Sequence, residues 1–184
     1  MVNIYKLELT NLQQEILRLF FIKSGVSLNQ RQISNYLKVS QPAVMKALPE
    51  LEKRGFIKVS QDKDSKRWSI ELNNTYKVMQ LKRVDNLKLI YESGLADFLE
   101  KEFAGAVIIL FGSYSRGEDT INSDIDIAVI GRKEKSVELK DFERILERKI
   151  FINFYHSFKD IHKNLKENIF NGIILYGGIE LWEL

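Results

Sequence analysis

Phe111-Gly-Ser-Tyr-Ser-Arg-Gly-Glu-Asp-Thr-Ile-Asn-Ser-Asp-Ile-Asp-Ile-Ala-Val-Ile130 is the stretch that decides the fold of the C-terminal half of this chain. The apolar run from Ala106 to Phe111 predicts a strand buried on both faces, and Gly112 and Ser113 end it sharply. After a polar loop, residues 123–130 predict a second strand. The pattern therefore indicates a strand, a tight turn into a helix, and a further strand.

Four residues of this stretch point to phosphate and metal chemistry. Gly112 lets a ligand approach the backbone, and we expect Ser113 to cap the following helix, whose free N–H groups then face a phosphate. Asp124 and Asp126 share one face of the second strand, because successive side chains alternate. Two such carboxylates raise each other's pKa, and Mg²⁺, which prefers carboxylate and phosphate oxygens, relieves the repulsion. The sequence predicts a site for a nucleoside triphosphate with Mg²⁺.

Three short motifs together resemble the signature of the minimal nucleotidyltransferases of the DNA-polymerase-β-like superfamily: Gly112-Ser113, Arg116-Gly117 and Ser123-Asp124-Ile125-Asp126. The resemblance covers residues 95–180 and implies transfer of NMP from an NTP to a hydroxyl with two metal ions. It implies that Asp124 and Asp126 are catalytic and bind the metal. The nucleotide-binding residues that it implies are Gly112, Ser113, Arg116 and Ser123.

The third carboxylate of this signature is missing from the matched position. Family members with full activity usually supply it from a later strand, here residues 150–155, and the position that we match to it is Asn153. Glu147 or Asp160 could replace it in another register, although both lie outside the apolar strand. Asparagine cannot supply negative charge or accept a proton from an attacking hydroxyl, so a bound but unreactive nucleotide is one expectation.

The N-terminal half has the pattern of a winged helix-turn-helix. Apolar spacing predicts helices over 9–21 and 29–37, the second with Tyr36 facing inward, and a third that begins at Ser40 and ends before Gly55. Strands are predicted over 56–60 and 67–72. Pro49, inside the third helix, predicts a kink near Met45 or a shortened and restarted helix. The segments 39–44 and 51–57 are similar to the DNA-binding domains of bacterial and archaeal transcription regulators.

This half carries the positive charge of the chain. Residues 1–75 contain 12 Lys and Arg against 7 Asp and Glu, whereas the rest contains 16 against 18. A basic excess on a winged helix indicates double-stranded DNA as a partner, although solvated surface charge is the plain alternative. The residues expected to contact bases from the third helix are Ser40, Gln41, Ala43 and Lys46. Those expected to contact the DNA backbone or minor groove from the wing are Lys63, Lys66 and Arg67.

Together these patterns predict an α+β chain of two domains. We expect a winged helix-turn-helix domain over 1–75, a linker helix over 76–94 and a small mixed α/β nucleotidyltransferase-like domain over 95–184. The linker helix has an apolar stripe of Val78, Leu81, Val84, Leu87 and Tyr91. That stripe would serve a homodimer, which suits paired operator half-sites, or packing within one chain.

The composition excludes several kinds of site and several classes of protein. The chain has 184 residues, 45% of them hydrophobic, which is enough for two small cores. It has no cysteine, so disulfides, zinc–thiolate sites and thiol nucleophiles are excluded. No apolar run approaches ~20 residues and no N-terminal signal is recognisable, so we expect no membrane insertion and a cytoplasmic protein.

Three functions remain open from the sequence. The first is a DNA-binding transcription regulator whose second domain binds a magnesium nucleotide without transferring it. The second is an active nucleotidyltransferase that modifies a protein, a nucleic acid or a small-molecule hydroxyl. Minimal nucleotidyltransferases often act as antitoxins, so the resemblance makes a toxin a conceivable protein partner. The third is a DNA-binding module whose second domain is inert, which the retention of Gly112, Ser113, Asp124 and Asp126 argues against.

Overall fold

The fold was derived from a computed structural model that describes residues 9–61 and 68–179. The chain divides into two compact units, residues 1–78 and residues 79–184. Helix α4, Tyr76–Glu92, spans the division. Each unit has its own buried core, so each is described by itself.

The first unit contains a helical core followed by a hairpin. Helices α1 (Asn11–Ile22), α2 (Gln30–Leu37) and α3 (Gln41–Lys53) precede the antiparallel strands β1 (Ile57–Gln61) and β2 (Trp68–Leu72). Side chains fix the helix starts: Thr10 and Gln13 form a capping box at α1, Asn29 and Gln32 form one at α2, and Ser40 caps α3. The predicted order of three helices and a hairpin is therefore confirmed.

Two details of this unit differ from the sequence-based expectation. Helix α3 runs without interruption through Pro49, so it is neither shortened nor restarted there. Pro49 is exposed, which leaves room for the proline ring on the solvent side of the helix. Tyr36 is also exposed rather than inward, because α2 turns Ile33 and Ser34 toward the core instead.

The second unit is built on a four-stranded mixed sheet with the order β5-β4-β3-β6. Strands β3 (Val107–Phe111), β4 (Ile125–Ile130) and β6 (Ile173–Tyr176) pair antiparallel, whereas β5 (Ile150–Tyr155) pairs parallel to β4. The helical elements of this unit beyond α4 are α5 (Leu95–Glu102), α6 (Gly112–Arg116), α7 (Lys140–Leu146), a 3₁₀ turn (Phe158–Asp160) and α8 (Lys163–Phe170). One sheet face packs against α5 and α7, and the other against the 3₁₀ turn and α8.

Helix α4 buries a different stripe from the one predicted. Val84 is 67% exposed and Tyr91 is 48% exposed, so these two residues do not belong to the buried face. The buried positions recur every fourth residue instead, at Val78, Lys82, Asn86 and Ile90. The pattern was missed because two of the four are polar, and an apolar stripe cannot reveal a face that buries a lysine and an asparagine.

No helix among the described residues is both long and apolar enough to cross a membrane.

Candidate nucleotide and nucleic-acid sites

The end of β3 and the start of β4 bring the small-residue turn and the two carboxylates together. Phe111 pairs with Asp126 in the β3–β4 ladder, so Gly112, the next residue, lies against the Asp126 side chain. Gly112 has φ +78°, and a Cβ added there would lie 2.5 Å from Asp126 Oδ2. Only glycine fits at this position, because any side chain would be strained and would also meet the carboxylate.

The two carboxylates lie close together at the start of β4. Asp124 is exposed just before β4 and Asp126 is half-buried within it, and neither makes a hydrogen bond or ion pair within residues 9–61 and 68–179. Burial, and then the nearby charge of Asp124, raise the pKa of Asp126 above its usual value. A divalent cation would offset both effects, so this pair fits Mg²⁺ completed by phosphate oxygens.

The parallel β4–β5 register identifies the neighbour of Asp126 on the next strand. Phe151, not Asn153, lies opposite Asp126, and Asn153 lies two residues further along, opposite Ala128. Phe151 is 54% exposed, and paired residues of parallel strands point to the same face. The residue on β5 closest to the carboxylate pair is therefore an aromatic side chain.

Neither of the alternative acids joins this pair. Asp160 accepts a hydrogen bond from the Ser157 N–H at 3.0 Å and caps the 3₁₀ turn. Glu147 follows α7 in the left-handed region, at φ 52°, where it lines a cleft that also touches Asp124. Within the part of the chain that the structure describes, no group of three His, Cys, Asp or Glu side chains is arranged to hold a metal.

The other motif residues have structural roles of their own. Ser113 lies inside α6, whose N-cap is Phe111, so the expectation that Ser113 caps this helix was wrong. Arg116 Nε donates to Glu118 Oε2 at 2.7 Å and Arg116 Nη1 donates to Asn168 Oδ1 at 2.8 Å. The Ser123 hydroxyl accepts from the Thr120 N–H at 3.0 Å, which closes the loop before Asp124.

A buried polar network, not foreseen from the sequence, supports the same turn. Asp119 is fully buried, with Lys82 Nζ 2.8 Å from one carboxylate oxygen and Arg148 Nη2 3.2 Å from the other. Asn86 Nδ2 donates to Asp119 Oδ1 at 2.7 Å and to the Tyr114 carbonyl of α6 at 2.9 Å. Burial lowers the pKa of Lys82, and Asp119 partly opposes that shift. The network joins α4, α6 and the start of β5.

A cleft of about 500 Å³ opens beside the exposed carboxylate. It lies between the loop before β4 and the C-terminal part of α7, and both cations and acids line it. The lining residues nearest the motif are Asn122, Ser123 and Asp124, and those from the other wall include Glu143, Arg144 and Arg148.

The candidate DNA-contact residues lie at the start and middle of α3. The Ser40 hydroxyl accepts from the Ala43 N–H at 3.3 Å, so Ser40 acts as a helix cap. Gln41 and Lys46 are exposed, and Ala43 is half-buried. The wing residues Lys63, Lys66 and Arg67 lie outside the described residues.

The exposed face of α3 also contains a residue that the sequence reading did not select. Met45 is 53% exposed, one turn beyond Gln41, while Val44, Ala47 and Leu48 face the core. The spacing of those buried residues places position 45 on the outer face, so the signal was present in the helical periodicity.

Two family models match separate parts of the chain. The MarR family model matches residues 9–68, and a model described as a nucleotidyltransferase domain matches residues 92–176. The matches confirm both resemblances drawn from the sequence and the α+β fold class. No curated protein matches the sequence significantly.

Solved structures with a similar fold include three bacterial proteins. A mutant of Lactococcus lactis ZitR is 24% identical, with a TM-score of 0.42 over 56% of this chain and 68% of that chain. The adhesin competence repressor AdcR of Streptococcus pyogenes is 24% identical, with a TM-score of 0.42 over 56% and 72% of the two chains. MepR of S. aureus, in a complex with DNA, is 22% identical, with a TM-score of 0.38 over 52% and 79%.

Proposed function

We propose that this chain, which carries a MarR-family winged-helix domain at residues 9–68 and a nucleotidyltransferase domain at residues 92–176, is a DNA-binding regulator that also binds a magnesium nucleotide. The observation that carries the nucleotide half is the carboxylate pair, Asp124 and Asp126, beside Gly112, with the pKa of Asp126 raised by burial and by the charge of Asp124. The exposed, acid-free outer face of α3 between Gln41 and Pro49 supports the DNA half.

The proposed nucleotide site uses the turn and the carboxylates together. Asp124 and Asp126 would hold Mg²⁺, which would neutralise the phosphates of the bound NTP. Gly112 keeps the backbone open beside Asp126, and Ser113 offers a half-buried hydroxyl in the same turn. Arg116 would reach a phosphate only by exchanging its bonds to Glu118 and Asn168, so we assign it a secondary role.

The proposed DNA surface is the outer face of α3. Gln41 has an amide that can pair with adenine in the major groove, and Lys46 can pair with guanine or with phosphate. Ser40 and Ala43 would approach DNA mainly through the helix start, since the Ser40 hydroxyl already caps α3. We propose that Lys63, Lys66 and Arg67 add contacts to the DNA backbone.

We further propose that nucleotidyl transfer is slow. In that reaction the acceptor oxygen bonds to the α-phosphorus, the bond from that phosphorus to the bridging oxygen breaks, pyrophosphate leaves and the hydroxyl proton passes to a base. A carboxylate beside Asp126 could take that proton and help to hold metal. Phe151 can do neither, and Asn153 could offer the metal only a neutral carbonyl oxygen. We propose Phe151 and Asn153 as the two positions at which to test an added carboxylate, with Phe151 opposite Asp126 and Asn153 opposite Ala128.

Binding is tested by titration calorimetry of the full chain with ATP, CTP, GTP and UTP, each with and without Mg²⁺. We expect binding of at least one NTP that depends on Mg²⁺ and is lost in Asp124→Asn/Asp126→Asn. Binding of the same strength in the double variant would show that the carboxylate pair is not the metal site.

Transfer is tested by adding a carboxylate at each of the two β5 positions. Phe151→Asp should increase the transfer of α-labelled NMP to an acceptor at least tenfold, because it places an acid opposite Asp126. Asn153→Asp is the matched control and should change transfer little, since that position faces Ala128. A larger increase of transfer in Asn153→Asp than in Phe151→Asp would show that Asn153 is the critical position.

A second candidate function is an active nucleotidyltransferase, favoured by the cleft of about 500 Å³ beside Asp124. An acceptor hydroxyl placed in this cleft would lie close to the proposed metal. The acceptor could belong to a protein, such as the toxin suggested by the resemblance, to a nucleic acid or to a small molecule. Incubating wild-type protein with each labelled NTP and a cell extract distinguishes this function from that of a regulator that only binds nucleotide, because only the active enzyme labels an acceptor.

We also propose a homodimer, since a dimer places two recognition helices on paired half-sites. Val84, Lys88 and Tyr91 form an exposed face of α4 that could contribute to it. Sedimentation of the full chain measures the mass directly, and a monomer at the concentration that binds DNA would exclude this assembly. The domain limits that we propose remain 1–75, 76–94 and 95–184, with the middle segment a helix.

A further inference from the structure

The outer face of helix α3 contains an exposed apolar strip. Pro42, Met45 and Pro49 are all exposed, and their spacing of three and four residues places them on one side of the helix. Gln41 and Lys46 flank the strip, and both are exposed. An isolated exposed methionine needs no explanation, but this one lies between an amide and an ammonium group on a helix of the kind that enters DNA.

The strip cannot be explained by packing within its own unit. Helix α3 buries Val44, Ala47, Leu48 and Leu51 on the opposite side, and that core is complete without Met45. Two of the three strip residues are prolines, which have no N–H and no polar side-chain atoms. In the part of the chain that the structure describes, this apolar surface is exposed and therefore open to a partner.

The major groove of DNA offers one apolar group for such a surface, the 5-methyl group of thymine. Adenine, the partner of thymine, is the base whose major-groove edge a glutamine amide pairs with. Met45 lies four residues beyond Gln41, which is about 6 Å along the helix axis, or roughly two base-pair steps. A methionine and a glutamine at this spacing suit a short A·T-containing site.

We propose that Met45 is a specificity residue that contacts a thymine 5-methyl group, one or two base pairs from an adenine that Gln41 reads. The inference rests on the proposed DNA binding and adds the kind of base that the helix prefers. The flexible thioether side chain of Met45 fits against the methyl group, while Pro42 and Pro49 extend the apolar surface on either side.

The experiment begins with selection of duplexes from a random pool by the full chain. Each thymine of the selected site is then replaced singly by deoxyuridine, which lacks only the 5-methyl group. We expect one or two positions at which this replacement weakens binding of the wild-type protein about threefold to tenfold, the loss expected for removing one buried methyl contact. All other thymines should tolerate the change.

Three variants test whether Met45 causes the loss of affinity when the 5-methyl group is removed. Met45→Ala should bind the thymine and deoxyuridine duplexes equally at those positions, and Met45→Leu should keep most of the difference. Lys46→Ala is the matched control, because it should weaken both duplexes by the same factor and leave their ratio unchanged. Each substitution changes an exposed side chain of α3, and circular dichroism checks that the fold is kept.

The outcomes separate this inference from the function it rests on. If no duplex is enriched by the full chain, DNA binding and the role of Met45 both fail. If a site is selected but no deoxyuridine replacement matters, or if Met45→Ala keeps the wild-type ratio, only the role of Met45 is overturned.

Discussion

Asp126 lies half-buried on β4 with Asp124 nearby and with no hydrogen bond or ion pair within residues 9–61 and 68–179. Burial is the larger cause of its raised pKa, and the charge of Asp124 is the second. The native state therefore binds a proton at Asp126 more readily than the unfolded chain does. The stability that this group contributes is complete below its unfolded pKa, about 4, and is lost as the pH rises through its raised folded pKa.

Asp126→Asn should therefore stabilise the metal-free protein at neutral pH. The free energy of unfolding of the variant should exceed that of wild type at pH 7, and the difference should shrink toward zero near pH 3, where both side chains are neutral. Urea unfolding with EDTA across this range measures the difference. An advantage for the variant that did not depend on pH would show that the charge of Asp126 is not the cause.

Magnesium with a nucleotide should reverse the order of stability of wild type and Asp126→Asn. A ligand that binds only the native state stabilises it, by about 2.7 kcal/mol at a concentration one hundred times its Kd. Mg²⁺ with NTP should therefore raise the stability of wild type and leave Asp126→Asn unchanged in the same unfolding series. An equal rise in both proteins would place the cation elsewhere.

The sequence predicted the local placement of Gly112, Asp124 and Asp126 better than it predicted which residues from other segments lie beside them. Gly112, Asp124 and Asp126 could be found because strand alternation and turn chemistry act over a few residues. The assignment of Asn153 depended on the register between β4 and β5, which hydrogen bonds between distant segments decide. In the structure Phe151 lies opposite Asp126, and Asn153 lies opposite Ala128. Asp119, Lys82 and Arg148 gave no local signal, because their pairing also joins distant segments.

At the scale of single elements, α3 shows how tertiary packing keeps a helix continuous through a helix-breaking residue, Pro49. Pro49 costs the helix a backbone hydrogen bond, yet α3 remains a single helix over 13 residues. Val44, Ala47, Leu48 and Leu51 are buried on its inner face, and their packing outweighs the loss. The sequence alone predicted the ends of α3 well, through Ser40 and Gly55. It could not show that packing of the buried face outweighs the cost of Pro49, because that packing depends on residues from other elements.

Pro49→Ala should raise the free energy of unfolding by about 1–3 kcal/mol, since it restores a hydrogen bond and replaces the poorest helix former with the best. Pro42→Ala is the matched control: Pro42 lies in the first turn, where no hydrogen bond is lost, so its replacement should give no gain and a loss of up to about 1 kcal/mol from the looser unfolded chain. Urea unfolding followed by circular dichroism compares the two. A loss of stability in Pro49→Ala would mean that α3 requires the proline.

At the scale of the whole molecule, the two activities proposed for the chain use separate units. The residues proposed to contact DNA belong to residues 1–78, and Asp124 and Asp126 belong to residues 79–184. The order of the domains, a winged helix followed by a nucleotidyltransferase-like domain, could be predicted from sequence because each domain has its own local motifs. The MarR family model and the nucleotidyltransferase-domain model match the chain in that order. The buried face of α4 could not be predicted from sequence, since two of its buried residues, Lys82 and Asn86, are polar.

The separation predicts independent loss of the two functions. Asp124→Asn/Asp126→Asn should abolish magnesium-dependent NTP binding while the DNA Kd, measured without nucleotide, changes less than about twofold. Gln41→Ala should do the opposite: it should reduce discrimination among duplexes and leave the calorimetric titration with NTP unchanged. A double carboxylate variant that no longer bound DNA would reveal a dependence between the units.

The salt-bridged core around Asp119 has a consequence for how this protein can be divided. Lys82 and Asn86 reach Asp119 from α4, so that helix belongs physically to the sheet that follows it. A fragment cut at residue 95 would remove two of the partners of the buried Asp119, Lys82 and Asn86, and losing one partner of such a pair typically costs about 3–5 kcal/mol. An exchange of the DNA-reading module that keeps this network and leaves α4 whole would therefore have to join ahead of Tyr76, and α4 would travel with the C-terminal half.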